Sequence, residues 1–127
     1  MKACLGFDTS CYTTSVALCC IGDRAADGLF FQERRLLSVP DGARGLRQSE
    51  MVFQHVSRLP ELTEALLRAR PEARIAAVAA SVRPRSAETS YMPAFRAGES
   101  AARTLAAALR VPFYETTHQE GHLRAAR

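Results

Sequence analysis

His118-Gln119-Glu120-Gly121-His122 sets two imidazoles four residues apart. If this stretch is helical, both rings emerge on one face and can hold one metal ion. Two histidines leave such a site incomplete, and Glu120 points away from that face, so a third ligand must come from elsewhere. The order is not His-Glu-x-x-His, whose glutamate is the general base of a metalloprotease. The alternative is a helix start that carries an exposed histidine pair. A second group is Gly6-Phe7-Asp8-Thr9-Ser10. An acid followed by two hydroxyl residues in a tight hairpin can set backbone N–H groups and side-chain oxygens around a phosphate, while the acid orients a metal or water. The competing reading is an Asx-turn, in which Asp8 caps its own loop. A third group is Ser81-Val82-Arg83-Pro84-Arg85, followed by Ser90-Tyr91-Met92-Pro93 and Ala97-Gly98-Glu99-Ser100. Two guanidinium groups at a strand end beside a helix start attract phosphate or carboxylate. Otherwise they are a solvated arginine pair, with small residues that let the helix approach a sheet.

Positioning these groups requires a particular order of elements. Residues 2–8 and 14–21 are short apolar runs rich in β-formers, joined by the polar residues 9–13, and residues 29–37 follow another turn. Three strands with short links predict an antiparallel meander. Residues 38–48 carry Pro40, Gly42 and Gly45 and read as a long loop. Met51, Val52, His55, Val56, Leu59, Leu62, Leu66 and Leu67 then recur at helical spacing, with Ser49 as the N-cap and Glu50 in the first turn. Pro60 predicts a kink or a break near residue 59. His55 on the apolar side reads as a core histidine. Residues 74–82 form a buried strand of parallel-sheet type, residues 92–110 an alanine-rich helix, residues 111–116 a fifth strand, and a further helix starts at His118. Strands joined through helices run parallel with right-handed crossovers. The order β-β-β-α-β-α-β-α describes an α/β lobe of ribonuclease H-like type, one lobe of the actin-like ATPases, with a mixed five-stranded sheet. Its ligand crevice lies beyond the carboxyl ends of the parallel strands, at Asp8, residues 81–85 and residues 116–118.

Composition agrees with one such domain. The 127 residues are 47% hydrophobic and 24% charged, an ordinary globular balance that excludes wholesale disorder. Charged residues interrupt every apolar run, so no membrane span is expected, and the apolar start is too short for a signal peptide. The protein is expected in the cytoplasm. Cys4, Cys11, Cys19 and Cys20 cluster early without Cys-x-x-Cys spacing, which favours reduced and mostly buried thiols over a disulfide framework, with Cys11 in a turn. The net charge of +4 comes almost entirely from arginine and falls in the second two-thirds of the chain. That skew suits a polyanion such as a nucleotide or tRNA, and equally a scattered arginine surface.

These motifs in this order resemble the glycoprotease, or O-sialoglycoprotein endopeptidase, family, whose better-defined members are the TsaD/Gcp-type tRNA threonylcarbamoyladenosine transferases. The family's opening Gly-Ile-Glu/Asp-Thr-Ser-Cys is matched by Gly6-Phe7-Asp8-Thr9-Ser10-Cys11, and its His-Met-Glu-Gly-His by His118-Gln119-Glu120-Gly121-His122. The resemblance spans nearly the whole chain. It implies an actin-like ATPase fold of two lobes, with one divalent metal, iron or zinc, and an adenylate ligand in the cleft between them. By this carry-over His118 and His122 are metal ligands, joined by an aspartate from the second lobe. Their own chemistry, apart from the resemblance, makes Asp8, Thr9, Ser10, Arg83 and Arg85 the candidates to line a nucleotide and its phosphate. The implied chemistry transfers a threonylcarbamoyl group from its AMP ester to N6 of adenosine 37 in tRNA.

Three departures stand beside that resemblance. The family's Asp-Glu-Thr is here Tyr12-Thr13-Thr14, so two acids that could serve acid–base work are lost. Arg83-Pro84-Arg85 stands where a glycine-rich turn is expected. The chain stops just past the histidines, as a divergent paralogue's N-terminal lobe without its second lobe would. Three functions follow: a metal- and adenylate-binding relative of the transferase, inactive as an isolated lobe; a non-catalytic scaffold within the tRNA-modification complex; and the metalloendopeptidase of the family's historical label. Exposed helix faces near the C-terminus further predict that the lobe forms a homodimer.

Overall fold

Ala3, Leu5 and Phe7 alternate along the first strand with Cys4, Gly6 and Asp8; the first three are buried and the second three half-buried. Thr14, Val16, Leu18 and Cys20 repeat the pattern on the second strand. A period of two with one set inside makes a sheet covered on one face. The computed structural model describes residues 1–10, 12–21, 29–83 and 93–117. Its elements are β1 (Lys2–Asp8), β2 (Thr13–Cys20), β3 (Phe30–Leu36), α1 (Gln48–Ala69), β4 (Arg74–Arg83), α2 (Pro93–Leu109) and β5 (Phe113–Thr117).

The strands lie in the order β3-β2-β1-β4-β5. β1 pairs antiparallel with β2 and β2 with β3, while β1–β4 and β4–β5 are parallel. This is the mixed five-stranded α/β sheet that the meander and the two helical crossovers predict. The helix expected from His118 onward lies outside the described residues. α1 packs on β2 and β3, and α2 on β4 and β1. Between helices and sheet lies one apolar cluster built on Leu5, Phe7, Val16, Leu18, Leu59, Leu62, Leu66, Val78 and Ala102. No helix among the described residues is long and apolar enough to cross a membrane.

One expectation for α1 needs correction, and of the kink or break expected at Pro60 the break is ruled out. The helix begins at Gln48 with Arg47 as cap residue and no side-chain cap, so Ser49 sits inside the first turn. The ladder starts early because the Met51 amide donates to the Arg47 carbonyl at 3.0 Å. Pro60 neither splits the helix nor ends it, and α1 runs through it as one element of 22 residues. Proline removes one ladder donor, and Val56, whose carbonyl loses that partner, lies on an exposed stretch where water can replace it. His55, by contrast, is the core histidine expected: it is fully buried, with Nδ1 2.8 Å from the Thr14 hydroxyl.

Pro112 stands just before β5, where its missing N–H costs the ladder nothing, and its carbonyl accepts from the Val78 amide at 3.0 Å. Glu99 is nearly buried on α2 and is held by Arg96 at 2.8 Å and Arg103 at 3.0 Å. Arg103 also reaches Glu115 at 2.7 Å and lies over the Phe113 ring, which ties α2 to the outer strand.

Candidate functional site

β1 and β4 run parallel, so their carboxyl ends lie side by side, with Phe7 in register with Ala80. The next residues are Asp8 and Ser81. The Ser81 hydroxyl donates to Asp8 Oδ2 at 3.3 Å, and the Ser10 amide donates to Asp8 Oδ1 at 2.8 Å. The second bond, from residue i+2 back to the side chain of i, is an Asx-turn. The acid thus caps its own loop while standing at the mouth of the crevice between parallel strands.

Thr9 does something that spacing alone did not reveal. It is fully buried, and its hydroxyl donates to the Ala94 carbonyl at 2.7 Å and accepts from the Gly98 amide at 3.0 Å. Ala94 and Gly98 are four apart on α2, the carbonyl and amide that an α-helical ladder joins. The Thr9 hydroxyl bridges that rung and fastens the β1–β2 turn to the first turns of α2. Gly98 makes the approach possible, because a Cβ there would stand 3.0 Å from Thr9 Oγ1 and 3.3 Å from its methyl. The same end of α2 is held from another side, since the Ala94 amide donates to Gln48 Oε1 at 3.2 Å.

Tyr12, one of the two positions where the transferases of the resembled family carry acids, is also structural. The Tyr12 carbonyl accepts from the Leu37 amide at 2.8 Å, and its hydroxyl accepts from the Leu46 amide at 3.2 Å. Gly45 lies under that hydroxyl, where a Cβ would come within 2.6 Å. Tyr12 therefore pins the connection from β3 to α1 and packs with Leu37, Met51 and Ala94 in a small second cluster. Thr13 opens β2, and Thr14 holds His55.

Of the other predicted site residues, Arg83 ends β4 in register with Thr117 of β5. Arg85, His118 and His122 lie outside the described residues, as does Cys11. Among the described residues no group of three or more His, Cys, Asp or Glu is placed to hold a metal ion.

The sequence reading did not find the groove between α1 and α2. About 500 Å3 in volume, it is lined by Phe7, Leu59, Pro60, Thr63, Glu64, Ala101, Thr104, Leu105 and Ala108. Phe53 and Val56, 66% and 53% exposed, precede Pro60 and Thr63 at helical spacing and carry the apolar stripe along α1 beyond the groove. Phe53 lies off the stripe of Met51, His55, Leu59, Leu62 and Leu66 that faces the core, and Val56, read in the sequence as part of that stripe, is exposed beside it. An apolar stripe that continues into an apolar groove marks a surface for another molecule.

No family model and no curated protein matches the chain. Among solved structures it is similar to YeaZ from Pseudomonas aeruginosa, at 20% identity and a TM-score of 0.61 over 92% of this chain. It is also similar to an uncharacterised Pseudomonas aeruginosa protein described as resembling the peptidase YeaZ, at 19% identity and a TM-score of 0.61. At these identities the likeness is one of fold, and the chain spans 44% of the length of each.

Proposed function

We propose that this chain is the first lobe of a non-catalytic partner in tRNA threonylcarbamoyladenosine modification, and that it presents the α1–α2 face to helices of a catalytic relative. The observation that carries this reading is the apolar groove with its Phe53–Val56–Pro60 extension along α1. The fold shared with the YeaZ structures supports the context, as does the resemblance in the sequence. The use of Tyr12 as a packing residue, where the transferases carry an acid, supports a role without acid–base chemistry.

The test is co-purification with the threonylcarbamoyl transferase subunit and, in a separate arm, tRNA. Stable capture of the wild-type chain is expected, with about a tenfold loss for Thr104→Arg at the rim of the groove, where the added guanidinium would have to be desolvated against the partner's apolar surface. A wild-type chain that binds no such subunit would overturn the reading. A second copy in the same groove would show as a dimer in sedimentation.

A second reading rests on Asp8 and Ser81 at the crevice mouth. In it, Asp8, Ser10, Arg83 and Arg85 surround an adenylate, Thr9 anchors their loop, and His118 and His122 hold an iron or zinc ion. That metal would act as a Lewis acid on the transferred group. The described residues supply no ligand set for it, so no step is assigned to it. Metal analysis of the purified protein and calorimetric titration with AMP test this reading. Absence of both signals would overturn it.

A further inference from the structure

Cys4 and Cys19 face each other across β1 and β2, in direct register. Both are half-buried, on the sheet face opposite α1 and α2. One pleat away the Ile21 amide donates to the Lys2 carbonyl at 2.9 Å. Bonded and non-bonded pairs alternate, so two residues further along Cys4 and Cys19 also form a hydrogen-bonded pair, with Cα atoms about 5.5 Å apart and Cβ atoms about 5 Å apart. A disulfide tolerates that Cα distance but needs the Cβ atoms at about 4 Å. The two thiols can therefore join after a small closure, and the resulting bond would be strained and easily reduced.

The surroundings favour exchange at this pair. Lys2 and Arg74 are in register, exposed, and on the same face one pleat away. Positive charge beside a thiol favours the thiolate, which is the attacking form. Gly6, next on that face, would meet nothing within 4 Å among the described residues even with a Cβ. Cys20 is set apart: it points into the other face, buried, with Sγ 3.0 Å from Met1 Sδ.

We propose that Cys4 and Cys19 form a cross-strand dithiol that glutathione-type disulfides convert reversibly to an intrachain disulfide. One thiolate attacks a sulfur of glutathione disulfide, forms a mixed disulfide and releases one glutathione thiolate. The second thiol loses its proton and displaces the bound glutathione. In sum, two protein thiols and one glutathione disulfide give one protein disulfide and two glutathione thiols, with the protein oxidised and glutathione reduced.

The experiment equilibrates the reduced 127-residue chain in glutathione buffers of graded ratio, quenches with acid, alkylates, and cleaves with chymotrypsin after Phe7 and Tyr12. The expected wild-type product has lost two hydrogens, carries a crosslink between the Cys4 and Cys19 peptides, and reverts with dithiothreitol. Cys4→Ser and Cys19→Ser abolish the crosslink and accumulate glutathione adducts, whereas Cys20→Ser keeps it. A crosslink through Cys11 or Cys20, or wild-type protein carrying only glutathione adducts, would overturn the proposal. Should a serine variant fail to fold by circular dichroism, fragmentation of the crosslinked wild-type peptide between Cys19 and Cys20 decides which of the two is joined to Cys4.

Discussion

The crevice end of the sheet and the groove between the helices handle their side chains in opposite ways. At the crevice, polar groups engage one another: Asp8 caps Ser10 and meets Ser81, Thr9 bridges α2, and Tyr12 holds a loop. In the groove, apolar side chains from two helices converge and leave space between them. Polar groups that satisfy one another need no ligand to be stable, because a buried donor or acceptor is costly only when it has no partner. Apolar surface left in water has no such internal remedy, and it gains free energy by being covered. Among the described residues, the crevice end is held by its own polar contacts, and the helices carry apolar surface that is still open.

That contrast can be broken by changing each region in turn. His55→Ala should destabilise most, by about 2–4 kcal/mol, because it opens a cavity in a fully buried site and strands the Thr14 hydroxyl. Chemical denaturation measures it, and a loss well under 1 kcal/mol would show that the pair does not hold α1 to β2. Thr9→Val keeps the shape but removes the bridge to α2, for a loss of about 1–3 kcal/mol. Amide exchange should quicken at the first turns of α2 in this variant; unchanged protection at Gly98 would contradict the bridge.

Thr104→Arg lies on the exposed rim of the groove and should alter stability by no more than about 0.5 kcal/mol. Its expected loss of partner capture then reports on the surface alone, and a large fall in Tm would remove that meaning. Arg103→Ala is the mildest change. The side chain is about half exposed, so solvent screens its ion pairs with Glu99 and Glu115, and a loss of about 0.5–1 kcal/mol is expected by thermal unfolding.

Much of the architecture was legible because it rests on local patterns. The alternation of Ala3, Leu5 and Phe7, the helical spacing from Met51 to Leu67, and the apolar run before Arg83 each mark an element from neighbours alone. The start of α1 was misread at Ser49 because a capping residue signals a boundary only where its own side chain makes the cap. Asp8 was readable in both of its guises, as crevice acid and as Asx-turn. Thr9 was not, since its partners lie 85 and 89 residues away and no period links them. Tyr12 was noticed only for the acid it replaces, whereas its work depends on the bare backbone of Gly45 in a distant loop. The groove escaped because two helices make it together, and each alone shows only one wall.

A hydroxyl that spans one rung of a helix makes two segments mechanically one. Sliding α2 along its axis would have to drag Thr9 with it, and Asp8 is the next residue in the chain. Ala101, Thr104 and Ala108 sit further along that same rod. A molecule gripping the outer flank of the rod therefore has, at one remove, a hand on the acidic turn at its far end.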